Sequence, residues 1–226
     1  MVRERSLLLY YITDRSALAD NESERRSRLL EKIAQAARAG VDYIQLREND
    51  LSDCDLESLA LAALNVIAKN SLAAAGRQQP TYLFINSRVD IALACSANGI
   101  HLRSNDISPR IAREIYERAA YHARPTISVS CHTVDEVSHA ASHGADLALF
   151  APVFGKPAQN NAPAAPPAGL DALRNACRQK IPVIALGGIT LQNARECINA
   201  GAAGIAAIRL FQENDIEEIV RELRAF

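Results

Sequence analysis

Two turns near the C-terminal end of the chain have the residue types best suited to binding an anion. The apolar segment Ile184–Thr190 contains the pair Gly187 and Gly188, and a second apolar run, Ala203–Ile208, is followed by Arg209. Adjacent glycines let the backbone approach an anion closely, and a following helix N-terminus offers unpaired N–H groups. In parallel α/β barrels the loops after the last two strands often form a phosphate site. The spacing therefore predicts a site for a phosphate ester, with a plain strand–turn–helix unit as the alternative.

Polar side chains also follow two apolar runs in the first half of the chain. Gln45 and Arg47 lie on the same face of a short strand, because side chains alternate along a strand. Buried polar groups cost free energy unless they find a partner, so this pair indicates a ligand. Arg47 suits a bidentate phosphate contact and Gln45 suits the edge of a heterocycle, whereas Asn86 could donate its amide to a phosphate oxygen. The alternatives are an internal salt bridge at Arg47 and a turn or cap role for Asn86.

The next two strand ends bring a carboxylate, two hydroxyls and an imidazole. Asp106 is a candidate Mg²⁺ ligand, because hard cations take carboxylate oxygens together with substrate phosphates; its alternative is to cap the helix that begins near Pro109. Ser128 and Ser130 share one face of the following strand, and His132 continues that face. His132 could act as an acid or base, or be a hydrogen-bonded residue at the rim.

Several classes of function are disfavoured by the sequence. No G-x-S-x-G elbow supports a nucleophilic triad, and the histidines lack zinc-site spacing. A net charge of -1 and 5% aromatic residues without Trp argue against nucleic-acid binding. The apolar run near the N-terminus is too short to cross a membrane, and five cysteines without C-x-x-C spacing indicate free thiols. We therefore expect a cytoplasmic protein.

Short apolar runs alternate with amphipathic segments along almost the whole chain. The strand candidates are short, apolar and preceded by turn residues: Leu7–Thr13, Val41–Arg47, Thr81–Asn86, Gly99–Leu102, Thr126–Ser130, Ala145–Phe150, Pro182–Leu186 and Gly204–Ile208. Helices are predicted between them, including Glu24–Ala39 and Asp55–Lys69. Eight such units predict an α/β fold, a single-domain (β/α)8 TIM barrel over residues 1–226, with a doubly wound sheet as the alternative. The proline-rich stretch 151–168 is predicted to be an insertion or a lid loop.

At these residues the chain resembles the thiamine phosphate synthase / thiazole tautomerase family. The resembling segments, spread from about Tyr10 to Phe211, are Tyr11–Arg15, Gly40–Glu48, Ile85–Asn86, Arg88–Ala94, Gly99–Leu102, Val129–Thr133 and Ile184–Thr190. The resemblance implies a thiamine-phosphate diphosphorylase-type transferase of thiamine biosynthesis. Such an enzyme couples hydroxymethylpyrimidine diphosphate with thiazole phosphate and releases pyrophosphate with the help of Mg²⁺.

The resemblance also implies roles for individual residues. Gln45, Arg47 and Asn86 would hold the pyrimidine diphosphate, Asp106 would bind Mg²⁺, and Ser130 would face the pyrimidine. Gly188, with Gly187 beside it, and the backbone of Ile208 and Arg209 would take the thiazole phosphate. The residues expected to act in catalysis are Arg47, Ser130 and His132.

The chain departs from the family pattern at several of these positions. Asn49 stands where the family usually has Lys, Ser87 where it has a second carboxylate, and Arg103 where it tends to have Gly. Arg209 replaces a small residue, and the family's Thr-x-Thr-Lys segment is replaced by a loop that contains Lys156. Asn49, Lys156 and Arg209 are therefore predicted to bind substrate, and Arg103 could add positive charge.

Three functions remain open at this point. The first is a synthase with a rearranged diphosphate site, and the second is a thiazole tautomerase that needs only the glycine turns and a base, for which His132 is the candidate. The third is a non-catalytic binder of a thiamine-related phosphate. In each case the expected partners are small phosphorylated molecules, with no nucleic acid, no membrane and a possible homodimer.

Overall fold

Eight parallel strands form a closed barrel in the computed structural model, which describes residues 7–71, 80–119, 124–155 and 166–226. The strands, β1 to β8 in chain order, are Leu8–Ile12, Tyr43–Leu46, Tyr82–Asn86, Gly99–Leu102, Thr126–Cys131, Leu147–Phe150, Val183–Leu186 and Gly204–Ala207. Each strand pairs with the next, and β8 returns to pair with β1. The predicted TIM barrel is therefore confirmed, and the doubly wound alternative is excluded because that sheet stays open.

Helices alternate with the strands around the barrel. A short 3-10 helix covers Arg15–Ala17, and the α-helices α1 to α9 are Glu22–Ala39, Asp53–Ser71, Val89–Ala94, Pro109–Arg118, Val134–Ser142, Gly169–Ala176, Leu191–Asn199, Arg209–Gln212 and Ile216–Arg224. Helix α1 begins two residues before the prediction, because the Asn21 side chain accepts a hydrogen bond from the Glu24 N–H. Helix α2 likewise begins at Asp53 rather than Asp55.

The predicted strands are longer than the observed ones at several ends. Strand β2 was expected over Val41–Arg47, but its ladder covers only Tyr43–Leu46. Gly40 adopts a left-handed conformation with φ of 88° and ends α1, so the residues after it serve as the turn into the strand. The strand thus loses Val41 and Asp42 at its start and Arg47 at its end relative to the prediction.

Alternate side chains of the strands fill the inside of the barrel. Side chains alternate between the two faces of each strand, and those on the inner face form one cluster. This interior cluster consists of Tyr10, Ile12, Phe84, Leu147, Leu149, Ile184 and Ala206. The rings of Tyr10 and Phe84 lie 5.6 Å apart between centroids. Side chains on the outer face of the strands, such as Leu9 and Tyr11, pack against the helices in the larger cluster. Because the lumen is filled, a ligand does not fit inside the barrel, and in this fold ligands bind at the end where the strands finish.

No helix within the described ranges is long and apolar enough to cross a membrane. The five cysteines are free, as predicted. Of the proline-rich stretch 151–168, residues 156–165, including Lys156, lie outside the described residues.

Candidate active site

A row of hydrogen-bonded amides joins the carboxyl ends of β2 and β3. Gln45 Nε2 donates to Asn86 Oδ1 at 2.9 Å, and Asn86 Nδ2 donates to Asn49 Oδ1 at 3.3 Å and to Ser87 Oγ at 3.2 Å. Gln45 is only 1% exposed. Its Oε1 has no hydrogen-bond partner among the described residues. Because a buried acceptor without a partner is costly, this oxygen marks a place where a ligand with an N–H group can bind.

A second hydrogen-bonded row joins β4 and β5 through His101, a residue to which the sequence alone assigned no role. His101 Nε2 lies 2.8 Å from Ser130 Oγ, and its Nδ1 lies 2.9 Å from Ser128 Oγ. Burial lowers the pKa of His101 to about 3, and the charge of Asp106 opposes that shift. The imidazole is therefore neutral at physiological pH. The signal in the sequence was the period-two register, which places His101 beside Ser128 on the adjacent strand.

The hydrogen bonds of this row have a preferred direction. The Tyr10 hydroxyl is fully buried and lies 3.2 Å from Ser128 Oγ. A buried hydroxyl that does not donate loses a hydrogen bond, so we assign Tyr10 as the donor to Ser128. Ser128 then donates to His101 Nδ1, and His101 Nε2–H donates to Ser130 Oγ. This order leaves the Ser130 hydroxyl free to donate to a ligand.

Arg47 extends from the end of β2 and is exposed. Its backbone N–H donates to Thr13 Oγ1 at 3.1 Å, which ties it to the end of β1. Within the described ranges its guanidinium has no ion pair, so the structure gives no support to the alternative of an internal salt bridge at Arg47. The role of Arg47 in binding a phosphate stays a prediction, and its exposed guanidinium at a strand end is compatible with it.

The internal salt bridge forms one residue further along, at Glu48. The buried guanidinium of Arg15 contacts Glu48 at 3.2 Å, Asp50 at 2.6 Å and Glu22 at 2.8 Å. Burial raises the pKa of Glu48, and the hydrogen bonds from Thr13 and Arg15 offset part of that rise. These contacts hold the ends of β1 and β2 together, and thereby position Arg47 and Asn49.

Asp106 does not lie in a site built for a metal ion. Its Oδ2 accepts the backbone N–H of Arg103 at 2.8 Å, and its Oδ1 accepts from Arg103 Nη2 at 2.9 Å. Burial opposes ionisation of Asp106, but hydrogen bonds from Arg103 and Ser87 prevail and lower its pKa. In the part of the chain that the structure describes, no three His, Cys, Asp or Glu side chains are grouped to hold a metal. The alternative cap role is wrong, because Ser108 caps α4.

The glycine turn after β7 can be built only from glycine. Gly187 and Gly188 have φ values of 99° and 66°. A Cβ on Gly188 would lie 2.7 Å from the Gly155 carbonyl oxygen, and one on Gly187 would lie 2.7 Å from Pro152 Cα. Thr190 then starts α7 in a capping box with Asn193. Contacts with the neighbouring Pro152–Gly155 segment therefore require glycine at both positions.

Ile208 and Arg209 follow β8, which pairs with β7. Ile208 is half-buried against the interior cluster, and Arg209 is exposed. Both residues thus lie at the same end of the barrel as the glycine turn, as predicted.

His132 follows β5 and presents one ring nitrogen. Its Nδ1 lies 2.7 Å from the Ala151 carbonyl oxygen. Because a carbonyl oxygen only accepts, Nδ1 carries the proton of the neutral ring, and Nε2 is left as the basic atom. His132 is exposed, so the ring is held in place by that bond and not by burial.

Polar side chains and a glycine turn at the carboxyl ends of a closed parallel barrel define the chain as an enzyme of the TIM-barrel class. The sequence model for thiamine monophosphate synthase matches residues 9–211. The chain belongs to this family, and membership gives it a role in thiamine biosynthesis and the character of a transferase. The resemblance seen in the sequence is thus confirmed.

Individual relatives agree with this assignment. The thiamine-phosphate synthase of Syntrophomonas wolfei is 34% identical over 218 residues, which cover 96% of this chain and 94% of the relative. The thiamine-phosphate synthase of Albidiferax ferrireducens is 33% identical over 208 residues, which cover 92% and 85% of the two chains. The solved thiamine phosphate pyrophosphorylase from Pyrococcus furiosus is 28% identical, with a TM-score of 0.76 and coverage of 98% and 95%.

A more distant likeness concerns the fold alone. A solved 3-hexulose-6-phosphate synthase is 17% identical, with a TM-score of 0.63 and coverage of 97% of each chain. At this identity the match indicates a shared barrel and gives no information about substrates.

Proposed function

We propose that the protein couples hydroxymethylpyrimidine diphosphate with thiazole phosphate and releases pyrophosphate. The carbon–oxygen bond between the pyrimidine methylene and the diphosphate breaks, and its electron pair leaves with the diphosphate. The lone pair of the thiazole nitrogen forms the new carbon–nitrogen bond. The observation that carries the proposal is the pair of hydrogen-bonded rows, one at the ends of β2 and β3 and one at β4 and β5, at the same end of the barrel as the glycine turn.

The pyrimidine fits between the two rows. The unpaired Gln45 Oε1 accepts from an amino group, and the Ser130 hydroxyl donates to a ring nitrogen. These two groups complement an aminopyrimidine edge, which presents a donor beside an acceptor. The neutral His101 fixes the Ser130 hydroxyl without adding a charge beside the ring.

The two phosphate groups fit on either side of the pyrimidine. The diphosphate lies against Arg47 and the amides of Asn86 and Asn49, since a guanidinium makes short charge-assisted hydrogen bonds with phosphate oxygens. The thiazole phosphate lies at Gly187 and Gly188, with Arg209 as a further basic group. The magnesium ion predicted at Asp106 takes no step here, because the Asp106 carboxylate is engaged by Arg103.

Product formation from purified components tests the proposal. The wild-type protein should yield thiamine phosphate and pyrophosphate in equal amounts, and Ser130→Ala should lower kcat/KM by about tenfold through loss of one hydrogen bond. Ser138→Ala, at an exposed serine on α5, is the matched control and should retain full activity. The absence of product at saturating levels of both substrates, with and without Mg²⁺, would refute the coupling reaction.

A second candidate is proton transfer on a thiazole carboxylate phosphate, and the orientation of His132 favours it. The bond from Nδ1 to Ala151 leaves Nε2 as a base at the end of β5. His132→Ala should abolish isomerisation if this is the function, but should change the coupling reaction little. Ligand binding without either turnover would indicate a non-catalytic binder.

We also propose a cytoplasmic location, a homodimer and no binding to nucleic acid. Free thiols persist in reducing compartments, which supports the location. The near-neutral net charge of -1 supports the absence of nucleic-acid binding. Light scattering coupled to size-exclusion chromatography tests the dimer, since a monomer would elute with a mass near 24.5 kDa.

A further inference from the structure

We infer that the guanidinium of Arg103 takes the place of a divalent cation at the departing diphosphate. The inference rests on the proposed coupling reaction and goes beyond it by assigning the group that offsets the charge of the leaving group. It predicts that this chain binds pyrophosphate, and turns over, without a metal ion.

The first observation is that Arg103 occupies both oxygens of Asp106. The backbone N–H of Arg103 lies 2.8 Å from Oδ2, and Nη2 lies 2.9 Å from Oδ1, with Nε at 3.2 Å from Oδ1. The Asp106 side chain is 12% exposed. A metal ion would have to displace a planar group that already makes several charge-assisted hydrogen bonds.

The second observation is that the neighbouring strand end offers no second carboxylate. Ser87 follows Asn86 at the end of β3, and its hydroxyl bonds to the Asp106 carboxylate. Mg²⁺ binds through carboxylates and substrate phosphates in near-octahedral geometry, and a neutral hydroxyl adds no charge to hold it. Arg103 and Ser87 therefore satisfy the Asp106 carboxylate as hydrogen-bond donors. A magnesium site would need a further carboxylate, which Ser87 does not provide.

The third observation is that some N–H groups of the Arg103 guanidinium make no hydrogen bond to the described residues. A guanidinium has five N–H groups, and the bonds to Asp106 leave both N–H groups of Nη1 and one of Nη2 without a partner among the described residues. The Arg103 side chain is 57% exposed. Arg103 and Ser130 line one cavity of about 390 Å³. Arg103 therefore borders the same cavity as Ser130, and Asp135 and Glu136 line that cavity as well.

The chemistry requires positive charge and no proton. When the carbon–oxygen bond breaks, the electron pair remains on the diphosphate, whose negative charge increases. A guanidinium stays protonated throughout and stabilises this charge through parallel N–H···O bonds. Arg47 and Arg103, with Asp106 as the anchor of Arg103, supply that stabilisation from the ends of β2 and β4.

Pyrophosphate titration by calorimetry in EDTA is the direct test. Wild-type protein should bind pyrophosphate with an affinity that changes less than about threefold when Mg²⁺ replaces EDTA, and Arg103→Ala should weaken binding in EDTA by about tenfold or more. The control is Arg174→Ala, because Arg174 is also half-exposed and paired with a carboxylate three residues away. Binding that needs Mg²⁺, or equal binding by the two variants, would overturn the inference.

A reconstruction tests the same idea in the opposite direction. Ser87→Asp combined with Arg103→Gly restores two carboxylates and removes the guanidinium. This double variant should bind Mn²⁺, detected by its electron paramagnetic resonance signal, whereas the wild-type protein should not. Mn²⁺ binding by wild type that equals the double variant and is lost in Asp106→Asn would contradict the inference.

The coupling assay separates this inference from the proposed function. Wild-type turnover in EDTA comparable to that with Mg²⁺ supports both. Turnover only with Mg²⁺ overturns the role of Arg103 and leaves the coupling reaction standing. No turnover under either condition overturns the coupling reaction, and the pyrophosphate titration still decides whether Arg103 binds the anion.

Discussion

At the scale of single residues, the site depends on side chains whose polarity is set by their surroundings. His101 is neutral because it is buried between Ser128 and Ser130. Gln45 donates its amide N–H to Asn86, but the Gln45 Oε1 atom has no donor among the described residues. The unpartnered oxygen costs stability in the ligand-free protein, whereas the neutral imidazole does so only at acidic pH, where the unfolded chain binds a proton. Each leads to a measurable consequence.

The neutral state of His101 makes stability depend on pH. The pKa of His101 is about 3 in the folded protein and 6.5 in the unfolded chain, so between these values the unfolded chain binds more protons. Stability is therefore fully present above pH 6.5 and declines as the pH falls. At pH 5 the loss should be about 2 kcal/mol relative to pH 7.5. Urea unfolding of wild type and His101→Asn at both pH values measures it.

The pH-dependent change in the free energy of unfolding should be larger in wild type than in His101→Asn. The difference between them gives the contribution of His101, because the carboxylates titrate in both proteins. His139→Gln, at an exposed histidine, should behave like wild type. Equal pH dependence in wild type and His101→Asn would show that His101 is not held neutral.

Gln45→Leu should weaken use of the pyrimidine substrate while changing the stability of the protein little. Leu is close in shape and removes the unpaired Oε1, but it also leaves Asn86 Oδ1 without its donor. The free energy of unfolding should therefore change by less than about 1 kcal/mol, while kcat/KM for the pyrimidine substrate should fall about tenfold. Thermal unfolding and initial rates measure the two effects, and an unchanged kcat/KM would remove Gln45 from the site.

At the scale of elements, buried charges at the strand ends hold the functional side chains in position. Arg15, in the short helix after β1, is 3% exposed and contacts the similarly buried Glu48 after β2. The Thr13 hydroxyl donates to Glu48 at 2.5 Å and accepts from the Arg47 N–H. Arg47 is thereby fixed by the strand beside it, and not only by its own strand.

Arg15→Met should destabilise the protein far more than its volume change suggests. The substitution leaves the Glu48 carboxylate buried without its cation, which costs about 3–5 kcal/mol. Arg28→Met is the control, because Arg28 is 55% exposed and its pair with Glu24 should contribute less than about 1 kcal/mol. Denaturant unfolding compares them, and equal losses would mean that the buried ion pair has no special role.

At the scale of the whole molecule, the site exists only because the barrel closes. Strand β8 pairs with β1 through the register of Gly204 with Leu8, and this contact brings the last strand of the chain against the first. Arg47, Asp106 and Gly188 follow β2, β4 and β7, so closure places all three at one end of the barrel. Groups far apart in sequence thus face the same opening.

Gly204→Ala should weaken this closure. A Cβ at Gly204 would lie 2.3 Å from the Leu8 carbonyl oxygen, and neighbouring backbone cannot move away cheaply. We expect a loss of about 1–3 kcal/mol, which lowers Tm by about 2–4 °C for each kcal/mol in a chain of this size. Gly155→Ala, with no atom within 4 Å of the added Cβ, should leave Tm unchanged. Calorimetry tests the pair, and equal Tm values would contradict the close contact.

The sequence alone was enough to predict the barrel and its family. Alternating apolar runs and amphipathic segments reflect local rules of burial, and the strand order follows because consecutive parallel units close in chain order. The same register placed Gln45, Asn86 and Ser130 at strand ends, since alternation along a strand depends only on chain geometry.

Only the tertiary structure decided how these side chains are partnered. It showed that Arg103 engages both oxygens of Asp106, that the internal ion pair forms at Glu48 rather than Arg47, and that His101 joins two serines. The physical reason is that a hydrogen bond or ion pair is set within about 3 Å, between groups brought together by closure of the barrel. Spacing along the chain predicts which face of a strand a residue occupies, but it does not determine which of these partners the residue meets.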